Sequence, residues 1–504
     1  MKKFSSLLIA GSLFLSYNVF AQDWTEMIQD HNANLKDVQA AFNKWYSTHQ
    51  PAPDNDKDAV KGENELDGNY MLFKRWEALM IPRTYPTGLR PDPAVIEKDY
   101  QDFLKMQNTR KSTHGAMAAS AMWSYVGNTK VPAGGGDAGR VNRVRFDPTN
   151  SNIVYACSPA GGLWKSTNGG KNWSTNTDHL LGIGTSDVAI DPTNTNIMYL
   201  ATGDGDGILS AVSTPSTIGV LKSTDGGVTW NATGLHYTLT SSGPGYQTVN
   251  QLAINPNNTQ IIFAATSFGL FYTANAGLSW FSVQSGNFKS VEFEPSHPAM
   301  VYASTYTSGF YRSTNGGISF TSVALPTSSG VGRLQIAVTP ADSNYVYVLG
   351  ENASNNAFFG LWFSKDDGQT FTLESTTPNV LGFSNGTGSD ATEGQGWYTL
   401  SIAASPTSAS TVLVGGVNIW MSTNNGASWT KKSSWTNNPY VHADIHSIIF
   451  PNGSGTTIYT GCDGGVYAST NTGTSWTDYS SGLEIAQQYS IGPSASVATE
   501  WLTG

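Results

Sequence analysis

The stretch WKSTNGGKNW, residues 164–173, contains the first of seven copies of a turn motif along the chain. Each copy has Ser or Thr, then Asn or Asp two residues on, Gly four residues on and Trp or Phe seven residues on. The Asn or Asp side chain can accept N–H groups of its own turn, the Gly adopts positive φ at no steric cost, and the ring fills the space beneath. The motif therefore predicts an architectural turn. Its Asn and Asp positions are Asn168, Asp225, Asn275, Asn315, Asp366, Asn424 and Asn471.

Each turn motif follows a pair of predicted β-strands joined at a proline turn. Three of the seven copies are VRFDPTNSNIVYA (144–156), VAIDPTNTNIMYLA (188–201) and LAINPNNTQIIFAA (252–265). The unit recurs about every 50 residues, and a four-stranded unit that cannot bury both faces alone stacks as a propeller blade. The sequence predicts an all-β fold, a seven-bladed β-propeller of four-stranded blades or part of a larger ring.

The N-terminal region follows different rules from the repeats. Residues 1–21 have two lysines, an apolar run and a final small residue, which is typical of a cleaved secretory signal. Residues 22–120 hold 27 of the 64 charged side chains and are predicted to form a small helical region, in which the apolar spacing of 23–49 predicts the first helix. The propeller is predicted over 121–490. Residues 491–504 begin a further strand that either closes the ring or belongs to a chain that continues, and we favour truncation.

Composition excludes several classes of function. The net charge of −10 disfavours nucleic acid as a partner, since phosphates select basic surfaces. No later stretch approaches the roughly 20 apolar residues of a membrane-spanning helix. With only 2 cysteines, disulfides cannot be the main source of stability.

The repeats resemble the Asp-box (bacterial neuraminidase-type) repeats of sialidases, xyloglucanases and sortilin-type propellers. More narrowly, GQGWY (394–398), VHADIH (441–446) and CDGGVYAS (462–469) resemble secreted sortilin-like propellers of Bacteroidetes that the type IX system exports. The resemblance implies a secreted or cell-surface protein that leaves the cell through the periplasm, with the type IX machinery as a partner.

Two enzyme families can be compared with this chain. Sialidases need three arginines around a carboxylate and an Arg-Ile-Pro element before blade one, which this chain lacks. Xyloglucanases place a catalytic Asp two residues before a Gly-Gly pair in each of two propellers. The corresponding residues here are Pro159 and Cys462, neither of which is an acid or a base. Asp463, one residue further on, is the weak catalytic candidate.

Other residues are candidates for binding. His442, Asp444 and His446 alternate along a predicted strand, so they share a face and predict a divalent metal site, against the alternative of a structural network. Asp204 and Asp206 in GDGDG (203–207) offer two carboxylates to Ca²⁺, fewer than its usual ligand set, so a plain turn is the alternative. No cofactor is predicted with certainty.

Exposed aromatic rings at blade ends are typical platforms for sugars. The candidate ligand-binding residues are Trp397, Tyr398, Trp420 and Asp463. We therefore favour a propeller that binds a glycan or protein ligand for adhesion, capture or surface display without catalysis. The alternatives are a xyloglucanase-like glycoside hydrolase and a structural passenger of the type IX system.

Overall fold

A computed structural model describes two compact units, residues 1–92 and 93–504. The described residues are 24–30, 32–49, 65–90, 95, 98–100, 102–103, 105–106, 138–180, 184–207, 217–237, 247–307, 309–383, 393–486, 491–493 and 501–503. The predicted signal segment and the predicted boundary at residue 121 lie outside them, so both stay predictions. Within the described ranges, no helix is long and apolar enough to cross a bilayer.

The first unit is helical, as the apolar spacing predicts. Its helices are α1 (Trp24–Gln29), α2 (Leu35–Thr48) and α3 (Glu65–Thr84). Residues 23–49 form two helices rather than one, because the Asn34 side chain caps α2 by accepting the Lys36 N–H at 3.0 Å. The rings of Phe42 and Phe73 stack at 3.7 Å between α2 and α3, and Trp24 meets both edge-on. These rings form the core of the unit.

The second unit contains seven four-stranded antiparallel sheets, each built from strands that are consecutive in sequence. We number the blades in chain order. The first four blades are β1 (Arg143–Asp147), β2 (Asn150–Ser158), β3 (Gly162–Ser166), β4 (Ser174–Thr175); β5 (Thr185–Ile190), β6 (Met198–Thr202), β7 (Gly219–Ser223), β8 (Asn231–His236); β9 (Val249–Ile254), β10 (Ile262–Thr266), β11 (Gly269–Thr273), β12 (Phe281–Gln284); and β13 (Phe288–Phe293), β14 (Val301–Thr305), β15 (Phe310–Ser313), β16 (Thr321–Ser322).

Blades five to seven continue the same pattern. Their strands are β17 (Val331–Val338), β18 (Val346–Asn352), β19 (Phe358–Ser364), β20 (Thr372–Ser375); β21 (Ser401–Ala404), β22 (Val412–Gly415), β23 (Ile419–Ser422), β24 (Thr430–Lys431); and β25 (Ile445–Ile449), β26 (Ile458–Cys462), β27 (Gly465–Ser469), β28 (Thr477–Asp478). A separate hairpin of β29 (Ile491–Pro493) and β30 (Trp501–Thr503) follows.

The ring closes between blade seven and blade one. The first strands of neighbouring blades contact one another from β1 through to β25, and β25 contacts β1 in turn, so these strands surround a central channel. At the closure, the Trp173 indole N–H donates to the Tyr479 carbonyl at 2.7 Å and the Val144 N–H donates to the Ser447 hydroxyl at 3.2 Å. The prediction of seven blades is confirmed. Closure uses packing between two complete blades, and β29 pairs with β30 instead of with blade one.

All seven repeated turns contain the predicted hydrogen bonds. In the turn of blade one, Asn168 Oδ1 accepts the N–H of Asn172 at 3.0 Å, and the Ser166 hydroxyl accepts the N–H of Gly170 at 2.8 Å. The fourth position after the Ser or Thr has positive φ in every copy, as expected. The third position does too, even in the four copies where it is not glycine, namely at Ala276, Asp367, Asn425 and Thr472. The surrounding hydrogen bonds impose that conformation on residues that rarely adopt it.

Two adjacent glycines of the blade-four turn allow the cost of backbone strain to be measured apart from the cost of a steric clash with the neighbouring blade. Gly316 and Gly317 have φ of 72° and 83°, but a Cβ on Gly317 would lie 2.0 Å from the Phe263 ring of blade three, whereas Gly316 has nothing within 4 Å. We expect Gly317→Ala to lower the free energy of unfolding by about 2–4 kcal/mol and Gly316→Ala by only about 1–2 kcal/mol. Urea unfolding of the two variants measures the difference. Equal losses would mean that the turn does not pack on the preceding blade.

The ring has two chemically different faces. On one face, the first strand of each blade begins and the second strand ends. We call it the hairpin face, because the turns between the second and third strands lie there. The opposite face carries the turns between first and second strands, which contain Pro148, Pro192, Pro256 and Pro295. We call it the proline face.

Candidate active site

The channel end at the hairpin face holds a group of charged and polar side chains, which we call the channel cluster. Six of the seven blades, or the segments that lead into them, contribute to it. Its members are Arg140, Asp204, Asp206, Lys289, Arg333, Tyr398, Asp444, His446 and Asp463. Ring closure brings together residues that are up to about three hundred positions apart in sequence.

Asp463 is the first residue of the turn between β26 and β27. Its Oδ1 accepts from His446 Nε2 at 2.9 Å and from the Tyr398 hydroxyl at 3.0 Å, and its side chain is 27% exposed. Burial alone would raise its pKa, but the hydrogen bond and charge of His446, with the charge of Arg140, outweigh burial and lower it. Asp463 is therefore a carboxylate that is held ionised and can still be reached from solvent.

Asp444 immediately precedes β25 and has a φ of 71°, in the left-handed region. Its carboxylate accepts a hydrogen bond from the Gln395 side-chain amide. Burial, and then the neighbouring negative charge of Asp463, raise the pKa of Asp444 to about 6. Two interacting carboxyl groups in one blade thus have pKa values displaced in opposite directions.

His446 lies between two carboxylates and is 1% exposed. Its Nε2 faces Asp463, its Nδ1 lies 3.4 Å from Asp206 Oδ2, and its ring meets Tyr398 edge-on at 4.7 Å. Burial lowers the pKa of His446, but the neighbouring carboxylates of Asp206 and Asp463 raise it above its ordinary value overall. The imidazole therefore links blade seven to the loop of blade two.

Two arginines tie the GDGDG loop of blade two to other parts of the ring. Arg333 of β17 pairs with Asp206 at 2.5 Å, and Arg140 pairs with Asp204. Asp204 also accepts from Asn142 Nδ2 at 2.8 Å. These contacts fix the GDGDG loop to blade five and to the segment that leads into blade one.

Lys289 of β13 supports the same loop from blade four. It is 3% exposed, and its ammonium donates to the Gly205 carbonyl at 2.6 Å. Burial, with the charge of Arg333, lowers the pKa of Lys289 to about 7. The loop is thus held by a lysine whose charge is sensitive to pH near neutrality.

The structure does not assemble the predicted metal sites. Strand β25 begins only at Ile445, so the alternation expected for His442, Asp444 and His446 fails, and His442 Nδ1 contacts the Ala443 carbonyl. The carboxylates predicted for Ca²⁺ are engaged by arginines instead. Within the described ranges, no group of three His, Cys, Asp or Glu side chains is arranged to hold a metal ion.

The aromatic candidates fall into two groups. Trp420 is 5% exposed and packs in the core between blades five and six, which corrects the expectation that its ring is a sugar platform. Trp397 and Tyr398 are half-buried, with ring centroids 5.3 Å apart beside Asp463. The Tyr398 hydroxyl also accepts from Arg140 at 3.0 Å. Of the aromatic candidates that the sequence named, this pair remains available for stacking next to the carboxylates.

The turn of blade seven explains why Asp463 falls out of register in the sequence. Three residues separate β2 from β3 in blade one, whereas two separate β26 from β27. Counted from the end of the second strand, Asp463 therefore occupies the place of Pro159, and Cys462 is the buried last residue of its strand. Alignment on the Gly-Gly pair, in contrast, places Pro159 opposite Cys462.

The raised pKa of Asp444 makes stability depend on pH. Between the ordinary Asp value near 4 and about 6, folded Asp444 keeps a proton that the unfolded chain has lost, so stability falls as pH rises through this window. We expect Asp444→Asn to stabilise the protein by about 1–2 kcal/mol at pH 8 and to have little effect at pH 4, since Asn tolerates positive φ. Urea unfolding at both pH values measures this. Asp478→Asn, on the exposed strand β28, is the control, and a gain independent of pH contradicts the assignment.

Comparisons with known proteins point to xyloglucanases. A xyloglucanase of Hypocrea jecorina is 24% identical over 254 residues, which is 49% of this chain and 24% of that protein. Xyloglucanase Xgh74A of Acetivibrio thermocellus is 26% identical over 158 residues, or 30% of this chain and 18% of that protein. The matches thus span about a quarter or less of the relatives' length. No family model matches the chain.

Solved structures give the same picture of the fold. The GH74 xyloglucanase of Xanthomonas campestris superposes with a TM-score of 0.56 at 18% identity, covering 74% of this chain and 59% of that chain. The GH74 enzyme of Niastella koreensis gives 0.50 at 22% identity, covering 70% and 55%. These likenesses agree with the β-propeller described above.

Proposed function

We propose that this protein is a secreted glycoside hydrolase that acts on a xyloglucan-like β-linked polysaccharide at the hairpin face. The observation that carries the proposal is the pair Asp444 and Asp463, two interacting carboxyl groups with pKa values displaced in opposite directions. Such a pair supplies one proton donor and one ionised carboxylate at the same pH, as general acid–base hydrolysis requires. The similarity to xyloglucanases supports a polysaccharide substrate.

The chemistry assigns a role to each carboxyl group. Asp444 donates its proton to the glycosidic oxygen as the bond from that oxygen to the anomeric carbon breaks. Asp463 accepts a proton from the water whose oxygen forms the new bond to that carbon. His446 and Tyr398 keep Asp463 ionised and oriented, and the half-buried rings of Trp397 and Tyr398 offer a stacking surface for a sugar ring.

The test is an assay of the mature protein on xyloglucan, mixed-linkage β-glucan and cellulose, with bound polysaccharide and released reducing ends measured separately. Release from any of these at a rate that depends on protein concentration supports hydrolysis. Binding without release overturns the hydrolase and supports the second candidate.

The second candidate is a propeller that binds a glycan or protein ligand without cleaving it. The presence of Pro159 at the blade-one position where the resemblance to xyloglucanases implies a catalytic Asp favours it. Export by the type IX system remains a proposal that belongs to either candidate, and a passenger role without a ligand is expected only if neither binding nor release is found.

A further inference from the structure

A cavity lies at the proline face, at the opposite end of the first strands from the channel cluster. It has a volume of about 310 Å³ and is lined by residues of blades one to four. Arg145 and Glu292 line it from β1 and β13, and the turn residues Pro148 and Pro256 contribute to its wall. The cavity is of the size that small-molecule sites have in proteins.

Arg145 presents one end of its guanidinium to this cavity. Its Nε and Nη2 bind both oxygens of Asp187 at 2.8 Å, and Asp187 is fully buried. Nη1 has no hydrogen-bond partner among the residues that the structure describes, and the side chain is 27% exposed. The bidentate pair therefore fixes the arginine while it leaves a donor free for a ligand.

Glu292 presents the matching acceptor. Gln251 Nε2 donates to Glu292 Oε1 at 2.7 Å, and Gln251 is itself held by the Val291 backbone at 3.2 and 3.3 Å. Glu292 Oε2 has no partner in the described part of the chain. Burial raises the pKa of Glu292 in spite of the nearby charges of Arg145 and Arg143.

The charges around the cavity select against a charged ligand. Arg145 and Glu292, the two charged residues that line the cavity, have opposite charges, so a ligand with net charge of either sign would be repelled by one of them in a partly desolvated place. A neutral ligand that both accepts and donates hydrogen bonds satisfies Arg145 and Glu292 together. The rings of the turn prolines and the neighbouring Phe146 and Phe293 favour a ligand with apolar C–H faces.

We propose that the proline-face cavity is a binding site for a neutral sugar, of one or two pyranose units, with its hydroxyl groups on Arg145 and Glu292. Glu292 lies three residues along β13 from Lys289 of the channel cluster, so the two sites are separated by roughly 10 Å along this strand. The site is therefore distinct from the carboxyl pair of the hairpin face and does not depend on hydrolysis there.

The test measures binding of glucose, xylose and cellobiose to the full chain by calorimetry, with glucosamine and glucuronate as charged probes. We expect a neutral sugar to bind with a Kd on the order of 1 mM, and the charged probes to bind at least about 5-fold more weakly. Ala253→Phe fills the cavity and is expected to weaken binding by about 10-fold or more. Ala403→Phe is the matched control, since it has the same place in β21 of blade six but does not line the cavity.

A second variant keeps the test informative if Ala253→Phe does not fold. Glu292→Met removes the acceptor at similar volume, and we expect it to weaken binding of the neutral sugar by about 10-fold. Equal binding by wild type and both variants overturns the proposal, because the sugar is then held elsewhere. So does the absence of binding up to about 50 mM, or tighter binding of a charged probe.

Discussion

Replacing Asp463 by asparagine is expected to lower kcat/KM for reducing-end release by about 10²–10⁴-fold, the usual contribution of one general acid or base. Asparagine keeps the size of the side chain and can still accept from Tyr398 through its amide oxygen, but it cannot take a proton from water. The substitution also removes one of the two carboxylates that flank His446. Asp444→Asn should cause a loss of the same order because it removes the proton donor.

The pH profile separates this mechanism from a general loss of folding. Wild-type activity should fall as pH rises above about 6, since Asp444 then loses the proton that it must donate. Asp478→Asn, in β28 of the same blade, should leave kcat/KM within about 2-fold of wild type. If Asp463→Asn retains a third or more of the activity on the substrate identified in the screen, a different group is the base.

The fold could be predicted because its signal is local. Each blade turn is completed by hydrogen bonds between residues four positions apart, such as Ser166 with Gly170 and Asn168 with Asn172, so eight residues contain the whole motif. Seven copies then predict seven blades. The break between α1 and α2 was missed, because Asn34 acts as a helix cap within a stretch whose apolar spacing continues across it.

The sequence marked candidate residues of the site in blades two, six and seven, but not the contacts between them. Asp444, His446 and Asp463 stand in two short motifs, but the type of site inferred from them depended on a strand that begins one residue after Asp444. Arg333 and Asp206 are 127 positions apart, and no local pattern marks them as partners. Arg333 and Asp206 meet because the ring closes, and no single position in the sequence predicts that closure.

Replacing Arg333 by methionine is expected to lower the free energy of unfolding of the propeller by about 3–5 kcal/mol, because it leaves a buried carboxylate with reduced compensation. Arg333 is 2% exposed and binds Asp206 at 2.5 Å, and its Nη1 donates to the carbonyls of Trp397 and Tyr398 at 3.2 and 3.0 Å. One side chain thus connects blades two, five and six across the channel. After the substitution, Asp206 retains His446 at 3.4 Å and the more distant charges of Arg143 and Lys289.

A double-mutant cycle distinguishes loss of the ion pair from loss of packing. Arg333→Met combined with Asp206→Leu removes both charges, so it should be less destabilised than Arg333→Met alone, by about 1–3 kcal/mol, although two carbonyls stay unpaired. Arg312→Met is the matched control: this half-buried arginine of blade four donates to the Asp367 carbonyl at 2.7 Å, and its loss should cost about 1 kcal/mol. Urea unfolding followed by tryptophan fluorescence measures five proteins: wild type, Arg333→Met, Asp206→Leu, the double variant and Arg312→Met. If the double variant is as unstable as the sum of its single variants, the pair does not couple the blades, and the GDGDG loop is held by Arg140 and Lys289 instead.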